Sequence, residues 1–187
     1  MKKCFIHIII SMTIISANDI DESFGKIIFN DIHINSPFSG GFNKPKIQWI
    51  DWDDDDDSDL FLLDEDGCIK YYQNNGFYND DFSFELKTTC FEDINNINWF
   101  YFGDYDSDLD YDLVTQDPNN IDYLVYYENI SGELNYIGNI TNFTNENISI
   151  QSVMTPTFID IDNDQDLDFF VGNIIGTVSF YENQGFL

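Results

Sequence analysis

Three stretches of this chain place an aspartate at every second position. Asp51, Asp53, Asp55, Asp57 and Asp59 form the first, Asp104, Asp106, Asp108, Asp110 and Asp112 the second, and Asp160, Asp162, Asp164, Asp166 and Asp168 the third. Carboxylates this dense repel one another, by roughly 4 kcal/mol for a pair about 4 Å apart at an effective dielectric of 20, so they converge only around a cation. Alternate aspartates in a tight turn give the flexible, oxygen-only shell that Ca2+ prefers; Mg2+ keeps its waters, and Zn2+ favours His and Cys. Calcium binding is therefore the expected chemistry. An EF-hand is excluded, because its twelfth position would be Leu62, Thr115 or Val171 instead of Glu, and strand-type segments flank the loops. One such run alone reads equally well as a solvated acidic turn; three in one register argue for ligation.

The loops sit inside a longer repeat of about 55 residues, starting at Asp51, Asp104 and Asp160. Before each loop comes an apolar run (Ile47 to Ile50, Trp99 to Phe102, Phe158-Ile159), and after it another (Leu60 to Leu63, Leu113-Val114, Phe169 to Val171). Eight residues beyond the ninth-position Asp stand Gly67, Asn120 and Gly176, types that accept positive φ in a hairpin turn. A third run ends in an aromatic pair (Tyr71-Tyr72, Tyr126-Tyr127, Phe180-Tyr181) and closes in an Asn-containing turn to Gly76, Gly132 or Gly185. These short runs, rich in Ile, Val, Phe, Tyr and Trp, read as strands, and no window sustains a helical period. Phe82 to Lys87 supplies an outer strand in the first repeat, and either Asn135 to Ile140 or Ile148 to Val153 in the second.

Inner strands that are apolar on both sides imply sheets packed face to face. The expected fold class is all-β: about three four-stranded blades of β-propeller type, forming an incomplete or oligomer-completed propeller. The expected organisation is a leader over 1–17, an N-terminal strand segment over 18–44, and blades over 45–97, 98–154 and 155–187. The last blade lacks an outer strand. Lys26 to Ile34 reads as one surplus strand, so a head-to-tail homodimer exchanging it is the expected way to close a ring. Trp49, Trp52 and Trp99 are expected in the blade core.

Thirty-five acidic residues against 7 basic ones give a formal charge of -28 and a pI near 4.1, which excludes nucleic acid as a partner. Disorder is also excluded, since 43% of the residues are hydrophobic and 17% aromatic. Met1-Lys2-Lys3 followed by the apolar Phe5 to Ile15 and the small Ser16-Ala17 reads as a secretory leader that takes Cys4 with it, and no segment reaches the roughly 20 apolar residues of a membrane span. Cys68 and Cys90 remain, either bridged in an oxidising compartment or buried as thiols. The sequons at Asn129, Asn139, Asn142 and Asn147 matter only in a glycosylating host.

The three segments resemble the FG-GAP or VCBS-type repeats, the Ca2+-binding blades of integrin α-subunit propellers and of many secreted bacterial proteins. Thr155 to Gly172 lies nearest the family pattern. The resemblance implies coordination by side chains at positions 1, 3, 5 and 9 and by the backbone carbonyl of position 7. Those positions are Asp51, Asp53, Asp55 and Asp59 with Asp57; Asp104, Asp106, Asp108 and Asp112 with Asp110; and Asp160, Asp162, Asp164 and Asp168 with Asp166. Position 6, where such loops turn left-handed, holds Asp56, Leu109 and Gln165 in place of the usual glycine, and Leu109 suits that conformation least.

No catalytic set is apparent. His33, on the polar face of the alternating segment Asp31 to Asn35, has no nucleophile motif or phosphate loop beside it. The function expected is a secreted calcium-binding module for adhesion or recognition of an extracellular protein or glycan. The alternatives are a carbohydrate-active propeller enzyme or its accessory domain, and a fragment of a longer propeller.

Overall fold

A computed structural model of the chain describes residues 28–29, 32–33, 41–78, 81–150, 156–172 and 175–184. The chain divides into two compact units, 1–41 and 42–187. The leader, Cys4, and Asp31 and Asn35 beside His33 lie outside the described residues. In the first unit, β1 (Ile28–Phe29) pairs with β2 (Ile32–His33) in an antiparallel two-stranded sheet. This corrects the reading of Lys26 to Ile34 as one strand: Ile28 pairs with His33 and Phe29 with Ile32, so two short strands of the segment pair with each other.

The second unit is all-β and consists of three blade-like antiparallel sheets, each in chain order. The first holds β3 (Lys46–Ile50), β4 (Asp59–Leu63), β5 (Ile69–Tyr78) and β6 (Asp81–Thr88). The second holds β7 (Phe100–Gly103), β8 (Asp112–Asp117), β9 (Asn120–Ile130) and β10 (Glu133–Asn139). The third, among the described residues, holds β11 (Pro156–Ile159), β12 (Asp168–Gly172) and β13 (Val178–Tyr181). None closes into a barrel. Each Asp loop joins the first strand of its sheet to the second, and so sits at one end of a blade.

Alternation along the strands makes the middle sheet apolar on both faces. Phe100, Phe102 and Leu113 join Ile50, Phe61, Leu63 and Ile69 of the first sheet in one core. Their chain neighbours Trp99 and Val114 point the other way and join Phe158, Phe169 and Val171 of the third sheet in a second core. Phe61 is the hub of the first core, fully buried with its ring 4.7 Å from Tyr71, 4.6 Å from Phe102 and 5.1 Å from Phe91. Burying one such side chain contributes roughly 1.5–3 kcal/mol. A polar clasp adds register between the first two blades. The Gln48 amide donates to the Phe102 carbonyl at 2.6 Å and accepts the Phe102 N–H at 2.8 Å, and Lys46 donates to the Asn98 carbonyl.

The segment that crosses from β6 to β7 passes through a 3-10 turn, Phe91–Asp93. Phe91, Ile94 and Ile97 seal the first core from this segment. A disulfide between Cys68 and Cys90, Cα atoms 4.8 Å apart, ties the residue before β5 to the segment that follows β6. No helix among the described residues is long and apolar enough to cross a membrane.

Several turns differ from expectation. Asn120 opens β9 without positive φ, because Asp117 pairs directly with Asn120 and Pro118 fixes a negative φ at the head of the two-residue loop. Gly76 is a bulge inside β5, with φ +74, and the ladder to β6 resumes at Phe77. By contrast Ser131 (φ +61) and Gly132 (φ +88) form a two-residue hairpin loop of the mirror-image type. Of the two candidates for the outer strand of the second blade, the first is β10; Ile148 and Ile150 instead enter the second core. Trp99 is buried and Trp52 packs on the first core, but Trp49 is half exposed, edge-on to Phe84 at 5.8 Å.

Candidate metal centres

The three loops share one backbone shape. Position 4 is left-handed in every copy (Asp54, Ser107 and Asn163, φ 60, 66 and 64), and so is position 6 (Asp56, Leu109 and Gln165, φ 70, 78 and 79). The second set was expected from the sequence; the first was not, although Asn163 signals it by its tolerance of this region. Side chains rarely occupy the left-handed region without compensation, at about 1–2 kcal/mol each.

Inward-turned N–H groups provide it. In the first loop, Asp51 accepts the N–H of Asp55 at 3.1 Å and of Asp56 at 3.0 Å. In the second, Asp104 accepts Asp108 and Leu109, each at 3.2 Å. In the third, Asp160 accepts Asn163 at 2.6 Å and Gln165 at 3.2 Å. The position-5 carboxylate then accepts the position-7 N–H, at 3.1 Å for Asp55, 3.1 Å for Asp108 and 3.2 Å for Asp164. These bonds bring positions 1, 3 and 5 together: in each copy one carboxylate oxygen from each of the three lies within 4.8 Å of the others. All the donors in these sets are oxygen, which fits a hard cation such as Ca2+.

Position 7 completes the pattern. Asp57, Asp110 and Asp166 each bury one Oδ1 that has no hydrogen-bond partner. An orphaned buried carboxylate oxygen is costly, and the same one recurs in all three copies. Loss of solvent first, and repulsion from neighbouring aspartates second, raises the carboxyls of Asp110 and Asp166 to about 6. The Asp57 carboxyl is also raised, for the same reasons in the same order. Asp106 and Asp162, at position 3, are pushed up by the same pair of causes.

Position 9 is placed differently. Asp59, Asp112 and Asp168 are fully buried at the start of each second strand. Asp59 accepts the N–H of Trp52 at 3.3 Å, the hydroxyl of Tyr71 at 3.0 Å and the N–H of Asn74 at 2.7 Å. Asp112 repeats this with Tyr105 at 3.2 Å, Tyr126 at 2.9 Å and Asn129 at 2.8 Å. Asp168 accepts Ile161 at 3.1 Å and Asn183 at 2.9 Å, and Phe180 stands where the hydroxyl would be. Burial raises the Asp59 and Asp112 carboxyls, and these hydrogen bonds act against the rise. Asn74 and Asn129 also donate their side-chain amides to the carbonyls of Ser58 and Tyr111, both at 3.2 Å, closing the loop onto the third strand. These asparagines appeared in the sequence only as part of a turn; their constant place three residues after Tyr71, Tyr126 and Phe180 is the signal that marks them.

Comparison of the chain with family models, with curated proteins and with solved structures finds no match in any of the three.

Proposed function

We propose that this chain is a calcium-binding blade-repeat module in which each Asp loop holds one Ca2+ and the ions stabilise the fold. The recurrent orphaned oxygen at position 7, beside the convergent carboxylates of positions 1, 3 and 5, carries this reading. One such oxygen is readily an accident of packing; the same atom without a donor in three loops fits a ligand oxygen for a cation. Positions 1, 3 and 5 supply side-chain ligands, position 7 completes the shell, and position 9 anchors the loop to its blade. The resemblance of the loops to FG-GAP and VCBS-type repeats supports the same assignment. The cation offsets repulsion among the carboxylates and couples metal binding to folding.

Export to an oxidising compartment is part of the proposal, supported by the leader-like Met1 to Ala17 and by the Cys68–Cys90 disulfide. There, millimolar calcium suits a site of modest affinity, about 10⁻⁴ to 10⁻³ M. The role proposed is adhesion or recognition of an extracellular protein or glycan. Thermal unfolding in EDTA, in Mg2+ and in Ca2+ tests the metal assignment. Ca2+ is expected to raise the melting temperature above both other conditions, and identical curves in all three would overturn it.

A further inference from the structure

The blades of this chain stack in one direction, and among the described residues the outer faces of the first and third blades are exposed. In each sheet one face points forward to the next blade. In the first blade that face carries Ile50, Phe61, Ile69 and Tyr71, with Trp52 reaching over from the loop; all lie in the core shared with the second blade. In the second blade it carries Val114, Leu124 and Tyr126, with Tyr105 from the loop; all lie in the core shared with the third. The corresponding residues of the third blade are Ile159, Phe170, Val178, Phe180 and Ile161. Val178 is 69% exposed where Ile69 is 0% and Leu124 1% exposed, and Ile161 is 54% exposed where Tyr105 is 8%.

The opposite end shows the reverse. Backward faces of the second and third blades bury Phe100, Phe102 and Phe158 against the blade before them. On the first blade the matching residues are Ile47 and Trp49, 54% and 51% exposed. The third Asp loop meets the second blade closely at one corner. Gly103 there makes room for Leu167, since a Cβ on Gly103 would stand 2.8 Å from Leu167 Cδ1.

From these two faces we infer that a second copy of this chain docks head to tail, the forward face of the third blade receiving the backward face of the partner's first blade. The contact continues an interface the chain already makes twice within itself, with the same strand positions on each side. Two copies joined at both ends supply six blades, within the four to eight that close propeller rings. This goes beyond the calcium assignment, because it rests on apolar faces and not on the loops.

The full chain in Ca2+ at physiological ionic strength, where the screening length is about 8 Å and the acidic copies tolerate contact, is the sample for light scattering with size exclusion. The wild type at tens of micromolar is expected to show the mass of two chains. Val178→Asp and Ile47→Asp each replace an exposed side chain and are expected to halve that mass, with circular dichroism unchanged. An equimolar mixture of the two variants is expected to recover the doubled mass, since one junction then joins two unaltered faces. A wild type of single-chain mass, a dimer indifferent to both substitutions, or a mixture that stays at single-chain mass beside a dimeric wild type would each overturn the inference.

Discussion

The Asn74 backbone N–H donates to the Asp59 carboxylate across 2.7 Å, although 15 residues separate the two. The same bond recurs from Asn129 to Asp112 and from Asn183 to Asp168. It fastens the exit of each Asp loop to the third strand of its blade or, for Asn183, to the chain two residues beyond that strand, which ties loop geometry to sheet geometry.

Removing this acceptor strands buried donors, and the three copies should respond unequally. Asp112→Ala leaves two N–H groups and the Tyr126 hydroxyl without a partner, and is expected to cost about 3 kcal/mol or more at roughly 1–3 kcal/mol per orphaned group. Asp168→Ala is expected to cost less, because Phe180 brings no hydroxyl to that site. Urea unfolding in EDTA reads the anchoring role without metal; equal losses at the two positions would contradict it.

The metal-free protein should lose stability as pH rises through the weakly acidic range. Burial, with repulsion from neighbouring aspartates, raises the carboxyls of Asp110 and Asp166 to about 6 in the fold, above the ordinary aspartate value of 3.8. Between these values the folded state binds more protons than the unfolded one, so each group adds a penalty that grows from about pH 4 to pH 6 and stands in full at neutrality. In EDTA the melting temperature is expected to be higher at about pH 5 than at about pH 7, and Asp110→Asn with Asp166→Asn should flatten that slope. A slope unchanged by both substitutions would place the effect elsewhere.

Leu109 holds φ +78 with its side chain 92% exposed, so it carries backbone strain and little packing. Leu109→Gly is expected to stabilise the fold by about 1 kcal/mol and to tighten Ca2+ binding at the second loop. Leu109→Ala keeps the strain and should do neither. If glycine and alanine behave alike in calorimetry, the left-handed backbone is not the cause.

The Cys68–Cys90 bridge closes a loop of sequence separation 22. Replacing both cysteines with serine is expected to cost about 3 kcal/mol, chiefly by freeing the unfolded chain. The loss should appear with and without Ca2+, since the bridge holds the connector between the first two blades and not an Asp loop.

Much of this fold was legible because its signals are local and repeated. Asp51, Asp104 and Asp160 set the period, and the two-residue alternation of Trp99 to Phe102 gave the middle sheet its two apolar faces. What escaped depends on pairing. Whether Lys26 to Ile34 makes one strand or two is decided by the partner of His33, and periodicity carries no such information. Pro118 overrode the turn expected at Asn120, and only the ladder shows that Gly76 is a bulge. At the loops, residue type named the carboxylates, but the hydrogen-bonded place of position 9 depends on Asn74, Asn129 and Asn183, about 15 residues further along the chain, and the orphaned oxygen of position 7 appears only in three dimensions.

The number of Ca2+ ions bound per chain tests the central claim most directly. Native mass spectrometry of the intact chain, titrated with Ca2+ after exhaustive chelation, should show three successive additions of one calcium mass. Asp53→Ala, Asp106→Ala and Asp162→Ala should each remove one of them. A chain that takes up no calcium at millimolar concentration, or a count that these substitutions leave unchanged, would contradict the assignment of the Asp loops as metal centres.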